Sequence, residues 1–479
     1  MLFNSIKFMV FFPCVFLLYY ALPFRFRKHM LLAASYYFYM CWKPEFILLI
    51  LFSTVAAYLC ALGGERWPRW KKGLVAVSLA LNLGVLFFFK YFNFFSESFT
   101  ALCRSVSIPF SAPVLAIVLP VGISFYTFQT LSYTLDVYRG DMEPERDLVT
   151  FALFVSFFPQ LVAGPIEKAS ALLPQLKTEH SFTYENAAGG LKLMGWGFFK
   201  KMVLADQLAL LLVDPVYNDL GSYEGGALVL ATCAFAVQIY CDFGGYSDIA
   251  RGCARMMGVE LMVNFRAPYF AASVTEFWRR WHISLTSWFR EYVYIPLGGN
   301  RKGAAKKCLF VLITFTLSGL WHGAAWTFVL WGLFHALVMD LEFLWHRRRP
   351  RKDRGPAVHV LRCVVTFGVV SLLWIFFRAN TMGDALYVLR HMTWGIGDPV
   401  RYVVRALTDM SPGPILAGCL ALSLILLFLY DLADERGGAI ALVSGWPVWV
   451  RWPVYVAFVV LLVLLVPKEA SVPFIYFQF

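Results

Sequence analysis

The sequence predicts an all-α protein that crosses a membrane many times. Hydrophobic residues make up 59% of its 479 positions and charged residues 15%, with a mean hydropathy of +0.64. A soluble protein cannot hide that much apolar surface. The basic residues gather between apolar runs: windows 25–30, 66–72, 301–307 and 347–354 hold 17 of the 42 Lys and Arg and one acid, Asp353. Clusters of this kind mark cytoplasmic loops. Aromatic residues, 18% of the chain, suit interfacial belts and a lined cavity.

The elements follow in order. Residues 8–23 form a first span; Arg25, Arg27 and Lys28 stop it with no A-x-A cleavage site, so it reads as a retained helix with its N-terminus outside. Runs 31–42 and 45–62 are separated by Lys43-Pro44, and 64–72 is an inside loop. Residues 73–92 are the next span. Pro120 and Gly122 predict a kinked helix over 119–129, with Ser124, Thr127 and Gln129 facing inward. A mixed-charge loop, 136–147, leads to a span over 148–162, and 166–189 is polar enough to lie outside the hydrocarbon. Lys200, Lys201 and Asp206 make 191–213 an interfacial or bent helix. A span over 227–249 ends in the polar run 238–248, and 251–306 is moderately polar. Within it, 276–290 reads as one amphipathic helix with Trp278, His282, Leu285 and Phe289 on its apolar face. A long apolar region runs from Cys308 to about Met339, and three more spans cover 358–377, 413–430 and 447–466. The total is about 11–13 transmembrane helices, with re-entrant or interfacial amphipathic helices around a central tunnel, in a single membrane domain.

Chemistry points to histidine. His322 lies between Gly319 and Gly323 in the long apolar region, with Trp321, Trp326 and Trp331 nearby. From Cys308 to Leu320 is ~20 Å of helix, short of the ~30 Å hydrocarbon core, so His322 falls within membrane depth. An ionisable group there suggests function, and imidazole accepts protons near neutrality. His282 sits on the apolar face of 276–290. His335 projects from another side of its helix and reads as structural.

Other templates fail. No G-x-S-x-G elbow, P-loop or H-E-x-x-H is present. Ser318 precedes His322 by one turn, where a helical serine usually bonds its own backbone. Ten scattered cysteines show no metal spacing, and a nucleic-acid partner would need a soluble basic face. A transporter or flippase would call for inverted repeats or mid-span acids, and neither stands out.

Several stretches resemble the membrane-bound O-acyltransferase family, in the family's order: 240–248 (YCDFGGYSD), 264–269 (NFRAPY), 277–285 (FWRRWHISL) and 319–323 (GLWHG), strongest over about 238–335. Residues 120–125, 158–166 and 473–479 extend the likeness. Cys241 stands where an aromatic is more usual. The ending of 292–301 (YVYIPLGGNR) is similar to bacterial alginate and peptidoglycan O-acetyltransferases; D-alanyl transfer to teichoic acid is the alternative within the family. The resemblance implies His322 as catalytic and His282 as the second motif histidine. Trp278, Trp281, Ser318, Trp321 and Asp242 are then candidates for a tunnel, and Arg279 and Arg280 for the phosphates of a donor. It also implies no bound cofactor, an acyl-CoA donor (acetyl-CoA first), a polysaccharide acceptor, a periplasmic or extracellular acetyltransferase partner, and a multi-pass place in the bacterial inner membrane.

The charge pattern makes a topology prediction. Single cysteines placed at 69 or 349 in a cysteine-free background should resist a membrane-impermeant thiol reagent applied outside the cell. Rapid labelling at either would reverse the orientation.

Overall fold

Residues 1–348, 355–410, 413–466 and 474–475 are described by the structure, a computed structural model. Every regular element among them is helical. Among the described residues eight helices are long and apolar enough to cross a membrane: Pro44–Arg66, Pro68–Ser105, Gly226–Met256, Ala304–His322, Trp326–Arg348, Pro356–Arg378, Pro414–Glu435 and Val448–Leu465. Ile6–Ala21 is a shorter apolar helix. The protein is therefore an all-α, multi-pass membrane protein. Other apolar runs expected from the sequence fold as shorter or interrupted helices.

The chain divides into two compact units, Met1–Leu191 with Ala250–Met262, and Lys192–Ile249 with Val263–Phe479. The first contains α1 (Ile6–Ala21), α2 (Phe24–Met40), α3 (Ile47–Arg66), α4 (Lys71–Leu86), α5 (Phe92–Ser105), α6 (Ile123–Arg139), α7 (Leu148–Ser156), α8 (Phe158–Leu161) and α9 (Ala169–Lys177). The expected basic loop at 25–30 is instead the opening of α2, because Pro23 precedes a helix start without disturbing its hydrogen bonds. A π-helical turn, Phe87–Tyr91, carries α4 into α5, so the expected 73–92 span continues to Ser105. Pro120 and Gly122 do not kink a helix; they precede one. Gly122 stands at φ 75° as the N-cap of α6, and a Cβ there would meet Leu161 O at 2.8 Å. The polar face expected on α6 is buried, and Thr130 Oγ1 donates to Asn82 Oδ1 on α4 at 3.2 Å. Such bonds substitute for a hydrophobic driving force between helices in lipid. The expected 148–162 span is two short helices, α7, buried from Thr150 onward, and α8, buried throughout.

α10 (Tyr184–Phe198) leads into the second unit. There follow α11 (Asp206–Leu208), α12 (Asp214–Asn218), α13 (Gly226–Met256), α14 (Val274–Arg280), α15 (Ile283–Phe289), α16 (Ile295–Leu297), α17 (Ala304–His322), α18 (Trp326–Arg348), α19 (Pro356–Arg378), α20 (Met382–His391), α21 (Pro399–Asp409), α22 (Pro414–Glu435), α23 (Ala439–Ser444) and α24 (Val448–Leu465). The polar run 238–248 does not end its span: α13, 31 residues long in all, continues to Met256, and its last turns belong to the first unit. The expected 191–213 helix is interrupted by π-helical turns at Phe199–Ala205 and Ala209–Val213. Its charges are buried rather than interfacial. Lys200 pairs with Asp248 at 2.5 Å, and Lys201 with Asp206 at 2.8 Å and Asp242 at 2.5 Å. The expected amphipathic helix 276–290 is broken into α14 and α15. Arg349 and most of the 347–354 cluster lie outside the described residues, as do all but Phe474 and Ile475 of the 473–479 stretch.

α17 and α18 pack back to back at glycine. A Cβ on Gly319 would stand 2.2 Å from Phe328 O, and one on Gly332 2.1 Å from Phe315 O. Neither backbone can yield without parting the helices. By contrast, a Cβ on Gly368 of α19 would meet nothing within 4 Å. Gly332→Ala should therefore lower thermal stability in detergent sharply, while Gly368→Ala should be neutral or stabilise by up to ~1 kcal/mol from helix propensity. Equal melting temperatures for the two variants would refute the close-packing account.

Candidate active site

Two histidines converge in the second unit. His322 is the last residue of α17, and Gly323 leaves the helix with an extended backbone. The last charge before it on α17 is Lys307; the rise over the 15 steps from Lys307 to His322 is ~22 Å of helix, within hydrocarbon depth. Its ring is 3% exposed and borders Trp321, Trp331 and Phe377 at centroid distances of 5.0, 5.1 and 5.4 Å. The fourth neighbour is His282, at 6.2 Å.

His282 reaches this place through a break in the backbone. It adopts a left-handed conformation, φ 44°, ψ 53°, between α14 and α15. That conformation is uncommon for any residue but glycine and costs about 1–2 kcal/mol, so the surroundings must enforce it. Asn264 does so. Its carbonyl accepts from Ile283 N at 3.0 Å, and its side-chain oxygen accepts from Ser284 N at 3.1 Å and Ser284 Oγ at 3.0 Å. His282 Nδ1 lies 3.3 Å from the same oxygen. The His282 ring is 0% exposed and packs on Phe243 of α13 at 4.6 Å, with Phe265 and Trp321 near. Burial pushes its pKa down to about 3, so the ring is neutral at any working pH.

α18 positions the other end of this segment. Glu342 accepts from Val274 N at 2.7 Å, Thr275 N at 3.0 Å and Thr275 Oγ1 at 2.8 Å, capping the start of α14. A carboxylate suits a helix N-terminus, where backbone N–H groups lack partners. Two turns earlier on α18, His335 is buried and its Nδ1 accepts from Trp278 Nε1 at 3.2 Å.

The remaining residues singled out in the sequence divide into two groups. Trp321 borders both histidines, and Ser318 is buried one turn before His322 on α17. Trp278 packs on Trp331 and Phe315, and Trp281 on Phe277, Phe265 and Trp374; both are buried in the aromatic wall behind the pair. Asp242 is held by Lys201 and accepts from Ile475 N at 2.7 Å. Arg280 pairs with Glu276 at 2.9 Å and with Glu435, while Arg279 is exposed. Sequence reasoning missed Asn264, Phe243 and Phe377. Asn264 and Phe243 lay inside the stretches that carried the family resemblance, but no local pattern gave them a role; Phe377 came from a helix with no signal at all.

Among the described residues no three His, Cys, Asp or Glu side chains converge closely enough to hold a metal ion. The arrangement offers instead two imidazoles in a water-poor aromatic setting, suited to moving a proton during attack on a carbonyl.

The model of the membrane-bound O-acyltransferase family matches residues 145–382, a span that includes both histidines. A protein of Azotobacter vinelandii named "Probable alginate O-acetylase" is 35% identical, covering 100% of each chain. The Pseudomonas aeruginosa protein of the same name is 38% identical over 88% of this chain and 81% of its own. The peptidoglycan O-acetyltransferase of Helicobacter pylori is 35% identical over 77% and 74%. Full-length identity at this level, joined to the matched family model, places the chain in the membrane-bound O-acyltransferase family.

Proposed function

We propose that the protein takes an acyl group, acetyl in the first instance, from an acyl-CoA on the cytoplasmic side of the bacterial inner membrane. It passes the group to hydroxyls of an extracytoplasmic polysaccharide, directly or through a partner acetyltransferase. The observation that carries this reading is the meeting of His282 and His322, 40 residues apart in sequence and 6.2 Å apart by ring centroids, both buried. The names of the relatives covering most of the chain support an O-acetyl product. Teichoic acid D-alanyltransferases also match, at 26–27% identity over 54% of this chain, which supports that acyl group less.

In the proposed step the acceptor oxygen attacks the thioester carbonyl, a C–O bond forms and the C–S bond breaks. His322 takes the hydroxyl proton as general base and returns it to the departing thiolate. Its place at the C-terminal end of α17 favours this, since the negative pole of a helix stabilises the positive charge imidazole acquires. His282, neutral throughout, contributes a hydrogen-bonding nitrogen rather than charge. Trp278, Trp281, Trp321 and Ser318 shape the passage, and Asp242 supports it from α13. Arg279 is the better placed arginine for donor phosphates, because Arg280 is engaged with two glutamates.

His322→Ala should reduce ester acetate on the envelope polysaccharide of the host by at least ~10²-fold, the usual contribution of a general base, with the protein still inserted at normal abundance. Unchanged ester content in cells whose only copy is the variant would overturn the assignment.

A further inference from the structure

We propose that Asn264 is a positioning residue that fixes the tautomer of His282, placing the proton on Nδ1 and the lone pair on Nε2; the inference rests on the transferase reading above. The orientation of the Asn264 amide is set by a group that has no choice. Ser284 N is a backbone donor 3.1 Å from the amide atom written as Oδ1, so that atom must be the oxygen. Ser284 Oγ, at 3.0 Å, can donate to the same oxygen. His282 Nδ1 lies 3.3 Å from that oxygen and 3.5 Å from Ser284 Oγ; with the hydroxyl hydrogen given to Asn264 at the shorter 3.0 Å, both neighbours of Nδ1 are acceptors and Nδ1 satisfies them as N–H. In a neutral imidazole the second nitrogen is then the acceptor.

Two further observations favour a role in orientation over one in packing alone. Asn264 is 1% exposed, yet its Nδ2 finds no hydrogen-bond partner among the described residues. A buried amide that leaves one half unused is present for the other half, its oxygen. The same oxygen holds the turn that puts His282 into its left-handed conformation, so one atom sets both where the imidazole stands and which nitrogen carries its proton.

The consequence is that His282 offers Nε2 as a hydrogen-bond acceptor to the reacting groups, for instance to the acceptor hydroxyl while His322 removes its proton. The ring cannot exchange roles between its nitrogens as long as Asn264 is in place.

The test uses the full-length protein in detergent or nanodiscs, with acetyl-CoA and thiol release or acceptor acetylation as the assay. Asn264→Leu, which removes the acceptor, should lower kcat about 10- to 100-fold while the KM for acetyl-CoA changes less than about twofold. Asn264→Asp keeps an oxygen for both Ser284 N and His282 Nδ1 and should recover most of that loss. In a His282→Asn background, which tolerates the left-handed backbone, Asn264→Leu should cost nothing more; a loss multiplied in full there means Asn264 acts through the fold and overturns the proposal. Should Asn264→Leu fail to fold, nitrogen-15 NMR of histidine-labelled wild-type protein decides, with the His282 signals identified by their absence from His282→Asn. A protonated Nδ1 and a bare Nε2 are expected, and the opposite tautomer refutes the idea. If His322→Ala retains full activity, the transferase site itself is misassigned. If His322→Ala is inactive and Asn264→Leu matches wild type, only the Asn264 inference fails.

Discussion

The close approach of α17 and α18 is the constraint on which the rest of the site depends. Gly319 and Gly332 let two backbones meet where any side chain would collide with a carbonyl oxygen. His322 ends the first of these helices. Trp331, which borders it, and His335, which receives the Trp278 indole, sit on the second, and Glu342 lower on the same helix caps α14. α14 in turn leads directly to His282. Within a bilayer, where lipid tails offer no hydrophobic drive for helix association, small residues and polar bonds of this kind carry the packing. Gly319 in α17 and Gly323 just beyond it were visible in the sequence as neighbours of the histidine. Their actual use, at Gly319, is removal of a Cβ from a contact, which only the partner helix reveals.

The break at His282 shows how far local pattern reaches. Spacing alone put Trp278, His282, Leu285 and Phe289 on one helical face, and all four are buried. Burial was therefore legible. The backbone was not, because it is decided by Asn264, 18 residues earlier, whose carbonyl and side-chain oxygens accept from the amides of the two residues after the break. A continuous helix would satisfy the same hydrophobic period without those bonds. The fold class and most long spans were legible for a related reason: membrane depth imposes a length and an apolarity that local composition records directly.

Charge was misplaced where its partners were distant. Lys200, Lys201 and Asp206 looked like reasons to keep 191–213 at an interface. Asp242 and Asp248 on α13 change that, giving each lysine a carboxylate within 2.8 Å. Removing one member of such a buried set strands the other, at a cost of about 3–5 kcal/mol in comparable pairs. The set also ties down the described end of the chain, through Asp242 and the Ile475 amide. The resemblance-bearing stretch 240–248 thus does two things: Phe243 packs on His282, while its neighbours hold α13 and the chain end in place.

The setting of His322 constrains how a proton can move there on the proposed mechanism. Trp321, Trp331 and Phe377 surround the ring with apolar surface, and the nearest imidazole is held neutral by burial. Imidazolium formed in such a place lacks the hydration that stabilises it in water, and the helix end offsets part of the loss. A stored charge would be costly, and a charge that exists only while thiolate or oxyanion develops beside it would be compensated at once, more strongly than in water because the surroundings screen little. The aromatic wall therefore favours proton transfer in step with bond making and breaking over a long-lived charged intermediate. It also explains why a neutral, oriented His282 serves this site better than a second charged group, which would repel the imidazolium at the moment it forms.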